Sequence, residues 1–315
     1  MARAGLIAAL LVFLGPPAWD GSSAGQEVSE APRPAADTLD RPAAGTERDW
    51  EIAREHFRWG ASIPTDSLPH FGELVRRIAE RFLGTPYEPR TLELPGPERL
   101  VVNLEALDCV TLVENVVVLA RLAWSKGPEL GDDTAAFEDA YRHELTALRY
   151  RGGQLAGYPS RLHYFSEWIA DNEASGVLLD LSRRLGGVPD SSAVDFMSTH
   201  PDAYRQLSDS AVLAAIASVE ARIGAEARYY VPQDSIGTVV HGVRDGDIIA
   251  ATSTVAGLDV AHTGIALWRD GELHLLHAPL VGSHVQISEE SLAERILRIG
   301  SQDGIMVARP LPPGA

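Results

Sequence analysis

Cys109 is the single cysteine in a chain of 315 residues that also carries ten histidines. One thiol is thus available as a nucleophile and many imidazoles as its base. The cysteine lies in Leu107-Asp108-Cys109-Val110-Thr111-Leu112-Val113-Glu114, and the stretch from Val110 to Trp124 is apolar at helical spacing. That pattern predicts a buried helix with Asp108 as N-cap and Cys109 in its first turn. A thiol there faces the positive end of the helix dipole, which is expected to lower its pKa and favour the thiolate. Thr111 and Glu114 also fit a capping box, which would leave the cysteine just before the helix. A free cysteine is as often a small buried hydrophobe, so residue type alone leaves both roles open.

The base is found by strand arithmetic. Asp270-Gly271 separates two apolar runs, Ala261 to Trp268 and Leu273 to Ala278, a strong signal for a two-residue hairpin. With Asp270-Gly271 as the loop, Arg269 faces Glu272 and His277 faces Gly264. His262 then lies on the same face as a diagonal neighbour of His277, close enough for two imidazoles to meet. Gly264 is expected to leave room for the ring, and His274 to face Leu267 on the opposite side. A bulged three-residue loop would shift the register and break this arrangement.

Other chemistries fit less well. The odd spacing of His274 and His277 on a strand sends their rings apart, and His143-Glu144 lacks the second histidine of a zinc-protease helix, so no metal is expected. No Gly-x-Ser-x-Gly elbow is present, which argues against a catalytic serine. One cysteine forms no intramolecular disulfide. An excess of 44 acidic over 27 basic residues, net −17, argues against nucleic acid as a partner.

The elements that would position these residues follow from periodicity. Helices are predicted over Asp49–Arg58, Ser67–Leu83, the segment after Cys109, Thr134–Tyr150, Arg161–Asp171 and Pro201–Ile223. Strands are predicted at Asp247–Thr252, His262–Trp268, Leu273–Ala278, Val285–Ile287 and Ile305–Ala308. Helices first and an antiparallel sheet later make an α+β fold. Ahead of them, Arg3, eleven residues from Ala4 to Leu14 and the small residues Ser22-Ser23-Ala24 read as a signal peptide over residues 1–24, too short to span a bilayer of about 30 Å. Residues 25–48, rich in Pro, Ala, Ser, Thr and acids, read as a disordered linker. No cysteine closely follows the apolar run, so no lipoprotein attachment site is expected, and the product is expected to be exported, soluble and periplasmic, without a membrane anchor.

Taken together, Gly84-Thr85-Pro86-Tyr87, Asp108-Cys109 opening an apolar helix, His262-Thr263-Gly264-Ile265 before the hairpin and Leu276-His277-Ala278 after it resemble the NlpC-type cysteine amidases of the papain-like fold. Asp108 to Glu114, Tyr158 to Phe165, Trp168 to Asn172 and Phe196 to His200 resemble the branch described as N-acetylmuramoyl-L-alanine amidase-like. The resemblance runs from about Ser67 to Pro310. It implies Cys109 as nucleophile, His262 as base, His277 as the residue orienting that base, Tyr87 lining the site, and no cofactor. It also implies peptidoglycan fragments (muropeptides) as partners, cut between N-acetylmuramic acid and L-alanine. Asp108 is a candidate substrate contact, with N-capping the preferred role. Arg161, His163 and Tyr164 form a cluster able to hold a carboxylate or a sugar, or to serve packing.

Two departures stand out. The glycine pair that often follows the tyrosine is absent and Pro279 replaces a small hydroxyl residue. Cys109 and His262 are 153 residues apart, which predicts a helical subdomain inserted at 131–228 within a domain covering 49–315. The alternatives are an endopeptidase cutting between D-glutamate and the diamino acid, or a catalytically silent wall-binding module with Cys109 as core.

Overall fold

The computed structural model describes residues 44–280 and 283–314; the expected signal peptide and most of the linker lie outside them. The first helix, α1, spans Glu47–Ala61 and so begins inside the segment read as linker. Thr46 and Asp49 form a capping box, and the second oxygen of Asp49 accepts the Leu104 amide at 2.7 Å. That long-range bond lies beyond the reach of local pattern. It is followed by α2 (Phe71–Glu80), α3 (Cys109–Ser125), α4 (Thr134–Arg149) and α5 (Phe165–Ala174), then β1 (Leu178–Asp180), β2 (Val188–Asp190), α6 (Phe196–Thr199), α7 (Ser210–Ala225) and β3 (Arg228–Pro232). The chain continues through α8 (Ile236–Val239), β4 (Ile248–Ser253), β5 (Val260–Arg269), β6 (Glu272–His277), β7 (Gln286–Ile287), α9 (Leu292–Arg298) and β8 (Gln302–Pro310).

The fold is α+β, with every strand pair antiparallel, in the order β2-β3-β8-β4-β5-β6-β7, and with β1 paired to β8. Alternation along the strands divides the sheet's residues between two cores. Ile248, Ile265, Leu267, Leu276 and Met306 join α1 to α5 in the larger core. Ile249, Ala266, Leu273, Leu275 and Val307 pack with Ile236 of α8 and with Leu292 and Ile296 of α9. Within the larger core α3 is apolar on nearly every side and buried along most of its length, as a helix without a polar face must be.

The segment 131–228 is not wholly helical. Its first part, including Phe137, Tyr141, Trp168 and Leu178, belongs to the larger core, and β1 and β2 extend the sheet. Its later part builds a separate small core from Tyr164, Phe196, Met197, Tyr204, Ile216 and Ile223, joined by Leu258. The helix expected from Pro201 breaks into two short 3₁₀ turns before α7, because Asp209 caps Ser210 onward and accepts the Ala211 amide at 2.8 Å. The short strands β1, β2 and β3 have no alternating pattern long enough to announce them.

The hairpin between β5 and β6 has the expected register, Arg269 with Glu272 and Leu267 with His274. Asp270 and Gly271 both have positive φ, 53° and 86°, as a type I′ turn requires. Gly264 serves a different purpose from the one expected. A Cβ there would meet the Leu276 carbonyl oxygen at 2.7 Å and the Leu275 side chain at 2.9 Å, so the glycine makes room for its neighbours on β6.

A fully buried ion pair ties α3 to α4. Arg149 contacts Glu114 at 2.7 Å and donates to the Val101 carbonyl at 2.6 Å, with both charged side chains 2% exposed. Arg149→Met leaves a buried carboxylate unpaired, and we expect a loss of about 3–5 kcal/mol in stability. Denaturant unfolding checks this; a loss below about 1 kcal/mol would show that the pair is dispensable.

Candidate active site

The capping box at the start of α3 forms between Asp108 and Thr111. Asp108 accepts the Thr111 amide at 2.8 Å, and the Thr111 hydroxyl accepts the Asp108 amide at 2.9 Å. The rival box between Thr111 and Glu114 is absent because Glu114 is turned inward to Arg149. Cys109 is therefore the first residue of the helix, 3% exposed. Gly84, at φ 87°, ends the turn after α2 and starts a short bridging segment. Tyr87 donates its amide to the Ser283 carbonyl at 2.8 Å, and Leu107 donates to the Pro86 carbonyl at 2.9 Å. These bonds bring Tyr87 alongside the residues that lead into Cys109. Its hydroxyl is buried with no hydrogen-bond partner among the described residues, and burial together with Cys109 and Asp108 raises its pKa.

His262 and His277 meet as the hairpin register requires. Nε2 of His262 lies 2.7 Å from Nδ1 of His277, with the rings edge to face at 80°. A bulge after Ala251 of β4 makes Ala261 the extra residue of β5 just before His262, a common device for re-aiming a side chain beside a site. His274 faces away, paired with Leu267, and donates from Nδ1 to the Ser288 carbonyl at 3.0 Å. Burial, then Arg295, brings the pKa of His262 down to about 3. Burial, then His262 and Arg295, holds His277 well below the ordinary value. Both rings are thus neutral at pH 7. When Nε2–H of His262 donates to His277, Nδ1 of His262 is left as a free lone pair.

Cys109 and His262 line one cavity of about 110 Å³, with Phe165, Met197, Tyr204 and Leu258 among its apolar walls. The backbone of Thr263, next to His262, hydrogen-bonds the thiol, yet burial and then Asp108 push the Cys109 pKa up to about 12. The expected lowering by the helix dipole is overridden, because desolvation penalises the anion and a carboxylate sits one residue away. The free site holds a thiol and neutral imidazoles.

The residues expected to contact substrate all line this cavity except Tyr87, and each also has an internal partner. Arg161 pairs with Glu93 and with Glu98 at 3.6 Å, and donates to the Leu92 carbonyl at 2.9 Å. His163 donates from Nε2 to the Tyr158 carbonyl at 2.9 Å, which leaves Nδ1 as its acceptor. The Tyr164 hydroxyl donates to Glu220 at 2.6 Å and accepts the Met197 amide at 2.9 Å. Arg90, Tyr204, Leu258 and Asp259 also reach the cavity and were missed. Asp259 is fixed by accepting the Ser166 amide of α5 at 2.8 Å, a contact over 93 residues that no local signal carries.

The model of the N-acetylmuramoyl-L-alanine amidase-like family matches residues 77–301. The chain belongs to the N-acetylmuramoyl-L-alanine amidase-like family. Solved structures similar to this family member include an N-acetylmuramoyl-L-alanine amidase from Bacteroides uniformis. It is 33% identical, with 76% of this chain and 98% of that one covered and a TM-score of 0.70. A protein from Bacteroides fragilis described as a putative xylanase is 34% identical, with 73% and 98% covered and a TM-score of 0.68. A Legionella pneumophila protein, 20% identical with 83% and 95% covered and a TM-score of 0.59, shares the fold. No curated protein matches the amidase-like chain significantly.

With its pKa pushed up to about 12, Cys109 is protonated at neutral pH, and iodoacetamide, which needs the thiolate, should alkylate it slowly at pH 7 and faster as pH rises. Mass spectrometry of the intact protein over time gives the rate. Rapid labelling at pH 7 would contradict a buried protonated thiol.

Proposed function

We propose that the protein hydrolyses the amide between N-acetylmuramic acid and L-alanine in muropeptides, with Cys109 as nucleophile, His262 as base and His277 orienting it, in an NlpC-type, papain-like arrangement. The carrying observation is the bonded His262–His277 pair beside a cavity that Cys109 and His262 both line, in a chain of this family. The Cys109 sulfur attacks the lactyl carbonyl carbon while its proton passes to Nδ1 of His262. The imidazolium then protonates the leaving amine of L-alanine, and water hydrolyses the lactyl thioester. Because thiol and imidazole begin uncharged, the ion pair forms only as the carbonyl arrives. Backbone amides at the start of α3, including that of Cys109, are suited to the oxyanion.

A glycosidase would need a working pair of carboxylates. Glu93 and Glu114 are ion-paired to Arg161 and Arg149, Asp108 caps α3 and Asp259 caps α5. These engagements favour the thiol over acid–base cleavage of a sugar. The inserted segment 131–228 would supply one wall of the cleft, with Arg161, His163 and Tyr164 meeting the substrate where they line it.

Mass spectrometry of purified muropeptides after incubation is the decisive assay. The expected product is a free stem peptide beginning with L-alanine; release of the diamino acid end would instead show an endopeptidase, and no cleavage a binding module. Cys109→Ala should abolish turnover, His262→Ala should reduce it at least ~10²-fold, and His277→Asn should retain a measurable fraction. His274→Ala should lower stability while sparing catalysis. Residual turnover by Cys109→Ala at wild-type level would end the proposal.

We also propose that the protein is exported and soluble in the periplasm, on the strength of the apolar run at Ala4–Leu14 and the small residues Ser22 to Ala24. N-terminal sequencing of protein from the native host should begin near Gly25; retained Met1 would reject export.

A further inference from the structure

Strand alternation places His277 with Leu273 and Leu275 on β6, and His262 with Gly264 and Ala266 on β5. Ala266, Leu273 and Leu275 belong to the core covered by Leu292 and Ile296 of α9. Arg295 is three residues beyond Leu292 and one before Ile296, so it shares the sheet-facing side of α9. Its Nε is buried with no hydrogen-bond partner among the described residues, and so is Nε2 of His277. Arg298, one turn outward, is ion-paired with Glu290 at 2.8 Å, whereas Arg295 makes no ion pair among those of the described residues. A cation that makes no ion pair among the described residues, with Glu290 as the acid whose charge acts on it, thus underlies the same sheet face as the two rings, outside the cavity lining.

We propose that Arg295 is a positioning residue for the histidine pair, a cation that keeps a second proton off His262 and His277 until the thiol delivers one. The inference rests on the thiol reading of the site. Its chemical consequence is that a His262 imidazolium, once formed during attack, is a stronger acid toward the leaving amine, whose protonation amide cleavage requires. Burial and then Arg295 lower the pKa of His262, and after burial and His262 the same arginine acts on His277. The other charged or titratable groups on elements packed around the pair include Cys109 of α3 with its cap Asp108, Glu294 of α9, which accepts from Ser291 at 3.0 Å, Glu290 with Arg298, His274 of β6, and Asp303, which accepts from Thr252 of β4 at 2.6 Å. Burial and then Arg298 weaken the proton affinity of Arg295 itself, against an opposing contribution from Glu290.

The test is the pH dependence of kcat/KM on a muropeptide for the wild type, Arg295→Met and Arg295→Lys. Removing the cation makes the rings easier to protonate, and His262 must be unprotonated to act, so the acid limb should move to higher pH in Arg295→Met, by about 0.5–1 unit. Arg295→Lys should restore it. Turnover that falls equally at all pH values, with the limb unmoved, would overturn the proposal in favour of packing. A second readout needs no turnover. Nitrogen-15 spectra of the histidine rings in the wild type and in Arg295→Met should show His262 and His277 taking up a proton at higher pH in the variant, and identical ring titration in the two proteins would overturn the proposal. Absence of hydrolysis would thus reject the functional reading while the ring spectra still decide the role of Arg295.

Discussion

The burial of α3 on all sides is the constraint from which the rest follows. A helix whose residues from Val110 to Ala123 are nearly all buried has no face to offer water and must be enclosed. The sheet covers one side, and α1, α2 and α4 the others. An enclosed helix still has to satisfy the free amides at its start, and Asp108 and Thr111 do so reciprocally. The same cap carries Cys109 to the edge of the sheet, where the backbone of Thr263 meets its sulfur. Enclosure of the helix and placement of the thiol are one structural event.

Enclosure also sets the electrostatics. Two arginines carried into the interior are paired: Arg149 with Glu114, and Arg161 with Glu93 and Glu98. Desolvation works on the groups left single in the opposite sense for acids and bases, so it raises Cys109 and lowers His262 and His277. The outcome is a resting site without net charge on its thiol or its imidazoles. Such a site has little attraction for ions, and an amide carbonyl is the event around which charge develops.

Part of the wall of the cavity that holds the thiol is built by a chain segment remote from it in sequence. Glu220 of α7 accepts from the Tyr164 hydroxyl at 2.6 Å and from the Ser198 amide at 3.0 Å, while Tyr164 accepts from the amide of Met197. One buried carboxylate and one phenol thereby fix α6, whose Phe196 and Met197 line the cavity. Residues that looked suited to holding a ligand have a prior structural engagement, so the surface they offer a substrate is set before it arrives.

Much of this was legible in the sequence. Asp270-Gly271 alone determined the register of β5 and β6, because a two-residue turn with both φ positive admits one pairing, and that pairing brings His262 onto His277. The spacing of apolar residues after Cys109 and the acid before it determined the helix and its cap, both being local physics. Tertiary structure alone decided the rest. The sign of the Cys109 shift depends on how much protein surrounds the sulfur, which no local dipole argument measures. The bonds of Asp259 to Ser166 and of Arg149 to Val101 and Glu114 cross 93, 48 and 35 residues, and short strands such as β1 and β2 exist only because β8 and β3 are there to pair with them. Contacts of that range are decided by the packing of whole layers, and a window of sequence contains only one side of each.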